Sequence, residues 1–133
     1  MAEAPRSSPA LDERVALVTG GTSRLGGAIA LGLARSGRYD RIIIVGRDER
    51  RAAGVLGGLR AAGATADFWR ADLASLEEVR RVCALASGTP LRCLVCAAGP
   101  TALRRRRETA DGLEYHFGVN FLAHFLLAAS LIE

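Results

Sequence analysis

The chain has 133 residues, half of them hydrophobic, and a formal net charge of +4. That length supports one domain with a real core, and the hydrophobic content excludes a chain that is disordered throughout. No segment reaches the roughly 18 consecutive apolar residues of a membrane span, and three cysteines, Cys83, Cys93 and Cys96, are too few for a disulfide framework.

Residues 1–13 carry Pro, Ser and acidic residues without an apolar h-region, so they read as a disordered leader with no secretory signal. Val15–Thr19 then reads as a first strand and Leu25–Arg35 as a helix ending near Gly37. Arg41–Val45 (RIIIV) is an unbroken β-branched run, the pattern of a strand buried on both faces. Asp48–Ala62 predicts a second helix despite Gly54, Gly57 and Gly58, and Thr65–Arg70 a third strand. Ser75 with Glu78 forms a capping-box pattern for a helix running to about Ala86. Leu91–Ala97 predicts a fourth strand, closed by a break at Gly99 and Pro100. From Thr109 to the end, Leu113, Phe117, Asn120, His124 and Leu127 fall at helical spacing and predict one long helix.

All 18 basic residues are arginine, and the positive charge concentrates in Arg104–Arg107. That run reads as a solvated loop, with an anionic partner as the alternative; no nucleic-acid motif accompanies it. Cys93 and Cys96 spell C-x-x-C, yet on a strand residues three apart face opposite ways. They are therefore expected to be inert core or near-core thiols in a reducing compartment, with no metal site.

Strands alternating with helices predict an α/β fold of βαβ units: a doubly wound parallel sheet in the order 3-2-1-4, with ligands at the carboxyl ends of strands 1 and 4. Strand 4 would be an edge. Its apolar LVCAA run reads as a strand written for a further neighbour.

The strand, Gly-rich turn and helix at Val15–Ala30 form a phosphate-binding arrangement. Glycine lets the main chain approach a pyrophosphate, helix N–H groups stabilise its charge, and Thr22 and Ser23 add hydroxyl donors. The segment Thr19-Gly20-Gly21-Thr22-Ser23-Arg24-Leu25-Gly26 resembles the T-G-x-x-x-G-x-G signature of the short-chain dehydrogenase/reductase family. Thr19, Gly20 and Gly26 match it, while Arg24 replaces the middle glycine. An arginine there either obstructs the usual cofactor approach or reaches a phosphate, as a basic residue beside that glycine does in NADP-preferring members. The resemblance implies cofactor contacts at Gly20, Thr22, Ser23, Arg24, Leu25 and Gly26.

Further segments extend the likeness across Arg14 to Ile132. Gly46-Arg47-Asp48 follows strand 2, where the adenosine ribose is read; by the family pattern Arg47 in place of an acid implies a 2′-phosphate and hence NADP(H), with a plain surface charge as the alternative for Arg47. Asp72-Leu73 matches the family's adenine-contacting pair, although Asp72 also suits a turn before the next helix. Cys96-Ala97-Ala98-Gly99 stands where the family has Asn-Asn-Ala-Gly, and Ala97 lacks the amide of the second Asn. The Cys form resembles the retinol-dehydrogenase-like branch, and the chain as a whole is similar to that branch or to the protochlorophyllide-reductase-like one. Thr109–Glu114 with Phe117–Phe125 resemble the retinol-dehydrogenase-like branch's helix after strand 4. There Asn120 falls on the family's catalytic asparagine, whose backbone kink supports proton relay. His124 is expected to be a packed histidine rather than an acid or base, and Phe117, Phe121 and Phe125 core or dimer-face residues.

The resemblance implies a Rossmann-type sheet, incomplete here, with 14–133 as the N-terminal part of a dinucleotide-binding domain and the remaining strands beyond Glu133. It implies hydride transfer between NADP(H) and a carbonyl, alcohol or related lipophilic substrate. The family's Tyr-x-x-x-Lys pair is missing, since the chain has no lysine, so this chain alone is expected to turn nothing over. The setting expected is cytoplasmic with an organelle left open, and homo-oligomerisation stays open too. The alternative from another class is a non-catalytic dinucleotide-binding or interaction protein, to which the changes at Arg24 and Ala97 point. An Arg104–Arg107 nucleic-acid binder is a third reading.

Overall fold

Val15, Leu17, Ile43 and Val45 face one apolar layer, while Ala16, Val18, Ile42 and Ile44 face another. Adjacent residues of the two inner strands thus bury opposite ways, which is why neither strand alternates with polar residues. The computed structural model describes residues 12–100 and 102–132, so most of the expected leader lies outside the described residues.

The strands are β1 (Val15–Thr19), β2 (Arg41–Gly46), β3 (Thr65–Arg70) and β4 (Leu91–Cys96). All neighbours pair in parallel, in the order β3-β2-β1-β4. Helices α1 (Arg24–Arg35), α2 (Glu49–Ala61) and α3 (Leu76–Ser87) connect them, and a π-helical stretch Phe117–Leu122 leads into α4 (Ala123–Leu131). Ala30 and Ala34 of α1 and Ala52 and Leu59 of α2 fill one layer. Val79, Val82 and Ala86 of α3, with Val119, Ala123 and Leu127, fill the other. Each fully buried Ile, Leu or Val stabilises the fold by about 1.5–3 kcal/mol relative to exposure.

Side chains set the helix starts. Ser23 Oγ accepts from Gly26 N at 3.0 Å, and Asp48 Oδ1 accepts from Arg50 N and Arg51 N at 2.9 and 3.1 Å. Ser75 Oγ accepts from Glu78 N at 3.4 Å, but the return half of the expected capping box is absent. Glu78 instead accepts from Asp72 N at 2.6 Å and so ties the β3–α3 turn to the helix.

β4 is an edge strand, and it pairs with a slip: Val15 faces Leu91 and Ala16 faces Cys93, leaving Arg92 as an extra residue. Cys93 is half-buried, whereas Cys96 is exposed, which corrects the expectation of two core or near-core thiols. Partial desolvation still raises the Cys96 thiol pKa, so exposure does not make it a thiolate.

The long helix expected from Thr109 begins only at Tyr115. Thr109 Oγ1 accepts from Asp111 N and Leu113 N, and Gly112 adopts φ 74°, so the segment forms a side-chain-stabilised turn. Glu114 then caps the helix, accepting from His116 N at 3.1 Å and Phe117 N at 2.8 Å. The turn also crosses to another element: Asp111 Oδ2 accepts from Leu76 N at 2.8 Å, at the first residue of α3.

Phe117, Phe121 and Phe125 do not enter the core. They are 48%, 56% and 57% exposed, with successive ring centroids 5.5 and 6.0 Å apart. Residues four apart on this helix share a face, and Val119 and Ala123 on the other side take the buried positions.

Candidate functional site

The carboxyl ends of the four strands meet around a cleft of about 260 Å³. The turn after β1 contributes Gly20, Thr22 and Ser23; the end of β2 and the residue after it contribute Val45, Gly46 and Arg47; the residues after β3 contribute Ala71, Asp72 and Leu73. Ala97, Ala98, Gly99 and Pro100 follow β4, while Arg51 comes from α2 and Tyr115 and Val119 from the final helix. This is the switch point of the doubly wound order, where successive connections depart to opposite faces and leave a crevice.

Close backbone approach shapes the crevice floor. Gly20 adopts φ 65°, and a Cβ on it would lie 2.7 Å from Ala98 Cα. Thr19 joins the two walls from below. Its Oγ1 accepts from Ala97 N at 3.1 Å and Ala98 N at 3.2 Å, and it lies 2.8 Å from His124 Nε2. The turn after β4 is therefore anchored to β1 by the Thr19 hydroxyl, although Ala97 has no side-chain amide.

The α1 N-terminus faces this floor through Ser23, whose hydroxyl accepts the Gly26 N–H. At the β2 end, a Cβ on Gly46 would lie 2.7 Å from Thr22 Oγ1, so Thr22 fills the space that Gly46 leaves. Arg47 and Arg51 make that end of the cleft cationic, and Arg50 and Arg70 join them along an adjoining shallow depression with Asp48 and Glu49. Arg51 Nε lies 3.5 Å from Asp48 Oδ2. Asp72 Oδ1 accepts from Ala74 N at 2.9 Å, so the carboxylate closes the turn before α3 while the residue lines the cleft.

Tyr115, 5% exposed, lines the cleft and packs in one buried cluster with Val45, Ala71 and Leu73, with the Arg107 guanidinium 4.5 Å from its ring centroid. Arg104, Arg105 and Arg106 are exposed, and Arg106 lies 3.9 Å from Glu108.

Of the residues proposed from sequence, Gly20, Thr22, Ser23, Arg47, Asp72, Leu73, Ala97, Ala98 and Gly99 converge on this cleft. Arg24, Leu25, Gly26 and Asn120 do not line it. Arg24 is exposed at the first position of α1, and Leu25 is 66% exposed. Gly26 is buried beneath the turn, where a Cβ would lie 2.0 Å from Gly20 O. Asn120 sits beside the cleft in the π-helical stretch, with Nδ2 donating to Pro100 O at 3.3 Å. The π character is visible in the bond from Ala123 N to Gly118 O, five residues back.

Sequence reasoning missed Val45, Arg51, Ala71, Pro100, Tyr115 and Val119 as lining residues. Arg51 carried a signal, since it lies in the first turn of α2, immediately after the Gly46-Arg47-Asp48 segment. Tyr115 carried none, because its position depends on where the final helix begins. Among the described residues no three His, Cys, Asp or Glu side chains converge as a metal site, and no helix is long and apolar enough to cross a membrane.

The family model described as short chain dehydrogenase matches residues 14–133. Polyprenol dehydrogenase of Mus musculus is 43% identical over 132 residues, covering 96% of this chain and 38% of that protein. Protochlorophyllide reductase A, chloroplastic, of Oryza sativa subsp. japonica is 39% identical over 128 residues, covering 92% of this chain and 33% of that protein. Among solved structures, a short-chain dehydrogenase from Sphingobium yanoikuyae in complex with NADPH superposes with a TM-score of 0.76 at 27% identity, covering 89% of this chain and 46% of that one. The chain thus spans between a third and just under half of the length of these relatives.

Proposed function

The chain belongs to the short chain dehydrogenase family, an oxidoreductase family, and on that footing we propose that its cleft binds NADP(H). The carrying observation is the pairing of a glycine floor with a cationic end in one crevice: Gly20 against Ala98, and Arg47 with Arg51. A pyrophosphate needs close backbone approach and helix N–H groups, and Gly20 and the α1 N-terminus supply both. A 2′-phosphate needs charge-assisted donors, which Arg47 and Arg51 carry. Asp72 and Leu73 on one wall would hold the adenine, and the backbone of Ala97–Gly99 on another would hold the ribose of the other half. The complex of the Sphingobium yanoikuyae relative with NADPH supports the choice of nucleotide.

Held by Gly20, Ser23, Arg47 and Ala98, the nucleotide would supply hydride to a carbonyl or accept it from an alcohol. The remaining work of this chain is positional. Thr19 fixes the Ala97–Ala98 amides, and Gly99 lets the final helix bring Asn120 next to the cleft mouth. The relatives named for polyprenol and protochlorophyllide support a lipophilic substrate for the whole protein. We assign residues 14–133 to the N-terminal part of its dinucleotide-binding domain. Because the chain contains no lysine, and so no Tyr-x-x-x-Lys pair, no turnover is expected from these residues by themselves.

Fluorescence titration of the chain with NADPH and with NADH tests the reading. NADPH should bind more tightly, and Arg47→Ala should weaken it by about 10–100-fold while leaving NADH little changed, as loss of about 1.5–3 kcal/mol from a hydrogen bond to a charged group requires. Equal loss for both nucleotides, or none for either, would overturn the assignment of Arg47.

A further inference from the structure

We propose that His124 is a positioning residue, held in a single tautomer with hydrogen on Nδ1, which links the Thr19 clamp beneath the cleft to the main chain at Asn120. Two hydrogen bonds and the capacity of each partner lead to this. Nδ1 lies 3.1 Å from the Asn120 carbonyl oxygen, and a carbonyl only accepts, so Nδ1 carries the hydrogen. Nε2 lies 2.8 Å from Thr19 Oγ1. A hydroxyl oxygen accepts through two lone pairs, and here both are taken by Ala97 N–H and Ala98 N–H. The one thing left for the Thr19 hydroxyl is to donate, either to Nε2 or to Val95 O at 3.4 Å. The shorter contact wins, because 3.4 Å is past the usual O–H···O range. Nε2 is then an acceptor without hydrogen.

The linkage runs in one line: Ala97 and Ala98 amides to the Thr19 hydroxyl, hydroxyl to Nε2, Nδ1–H to the Asn120 carbonyl. His124 is 9% exposed, so water does not readily replace either partner. Its carbonyl partner lies in the π-helical stretch, where the i+5 pattern leaves carbonyls displaced from the ordinary ladder. A side chain that occupies the Asn120 carbonyl therefore holds that irregular turn, and with it the Asn120 amide beside Pro100. The tautomer stands on geometry alone, and its role in positioning rests on the cleft being the nucleotide site.

The chain has only two histidines, His116 and His124, so a histidine-labelled sample gives a two-residue nitrogen spectrum. The expected result is one histidine with a fixed hydrogen-bearing Nδ1 and a bare Nε2, assigned to His124 by its loss in His124→Gln. Hydrogen on Nε2, or a freely exchanging mixture for both residues, would overturn the proposal. Thr19→Val should erase the fixed pattern, speed exchange at the Ala97 and Ala98 amides, and shift the resonances of Asn120 and its neighbours together. Thr19→Ser, which keeps the hydroxyl, should restore all three. Disturbance at Ala97 and Ala98 with Asn120 unmoved would sink the linkage. None of these readings needs nucleotide, so a chain that shows the tautomer yet fails to bind NADPH would contradict the proposed function and leave the tautomer standing.

Discussion

A Cβ added to Gly99 would lie 2.3 Å from Asn120 Oδ1, so the turn after β4 and the final helix fit only while residue 99 has no side chain. Gly99 also adopts φ 150°, a conformation that costs other residues about 1–3 kcal/mol. Gly99→Ala should lower unfolding free energy by more than that in urea titration, because the contact with Asn120 adds to the strain. Adding Asn120→Ala should return only the part owed to contact, by at least about 0.5 kcal/mol, because the backbone strain persists. Full recovery in the double variant would show that strain at residue 99 is absent.

The cap that Asp111 places on α3 is a tertiary one, from a residue far along the chain to Leu76 N. Asp111→Ala should destabilise the protein by about 0.5–2 kcal/mol, the usual range for a lost cap. Amide exchange separates this from a local effect: Leu76 should lose protection along with the Thr109–Leu113 turn. Unchanged exchange at Leu76 would mean that the cap does not hold α3.

Acid should act through two carboxylates. Glu114 accepts from Phe117 N–H and from His116, which holds its pKa at about 2 instead of 4.5. Asp40 is likewise held at about 2, from 3.8, chiefly by the Arg14 side chain, which lies 2.9 Å away. Both pKa values are lower in the folded chain. Their stabilisation is therefore complete above the unfolded values and drains away as pH falls through them towards about 2. Glu114→Gln should flatten the dependence of the urea midpoint on pH in that window and leave it unchanged in shape near neutrality. An equally steep acid limb in the variant would assign the effect elsewhere.

Much of the fold was legible because its signals were local and agreed with one another. The β1 and β3 boundaries, the RIIIV strand, the Ser75 start and the 3-2-1-4 order follow from apolar runs and turn residues. The Thr109 segment was not, because helical spacing at Leu113 and Phe117 was outweighed by the Thr109 hydroxyl bonding two amides and by Gly112 at positive φ. Phe117, Phe121 and Phe125 read as core or dimer-face residues, and helical spacing alone could not say that the fold would leave them outside the core. The cleft was half legible. The strand-end residues follow from topology, whereas Tyr115 and Pro100 arrive through the packing of the last helix, and Arg24 points to solvent because a helix's first residue need not face what its N-terminus faces.

The most direct measurement is a map of backbone amide shifts as NADPH is added to the chain. Saturable changes are expected at Gly20, Thr22, Ser23, Arg47, Asp72 and Ala98, absent in Gly20→Val, whose side chain would project against Ala98. Changes centred on Arg104–Arg107 instead, or an unaltered spectrum at millimolar nucleotide, would contradict it.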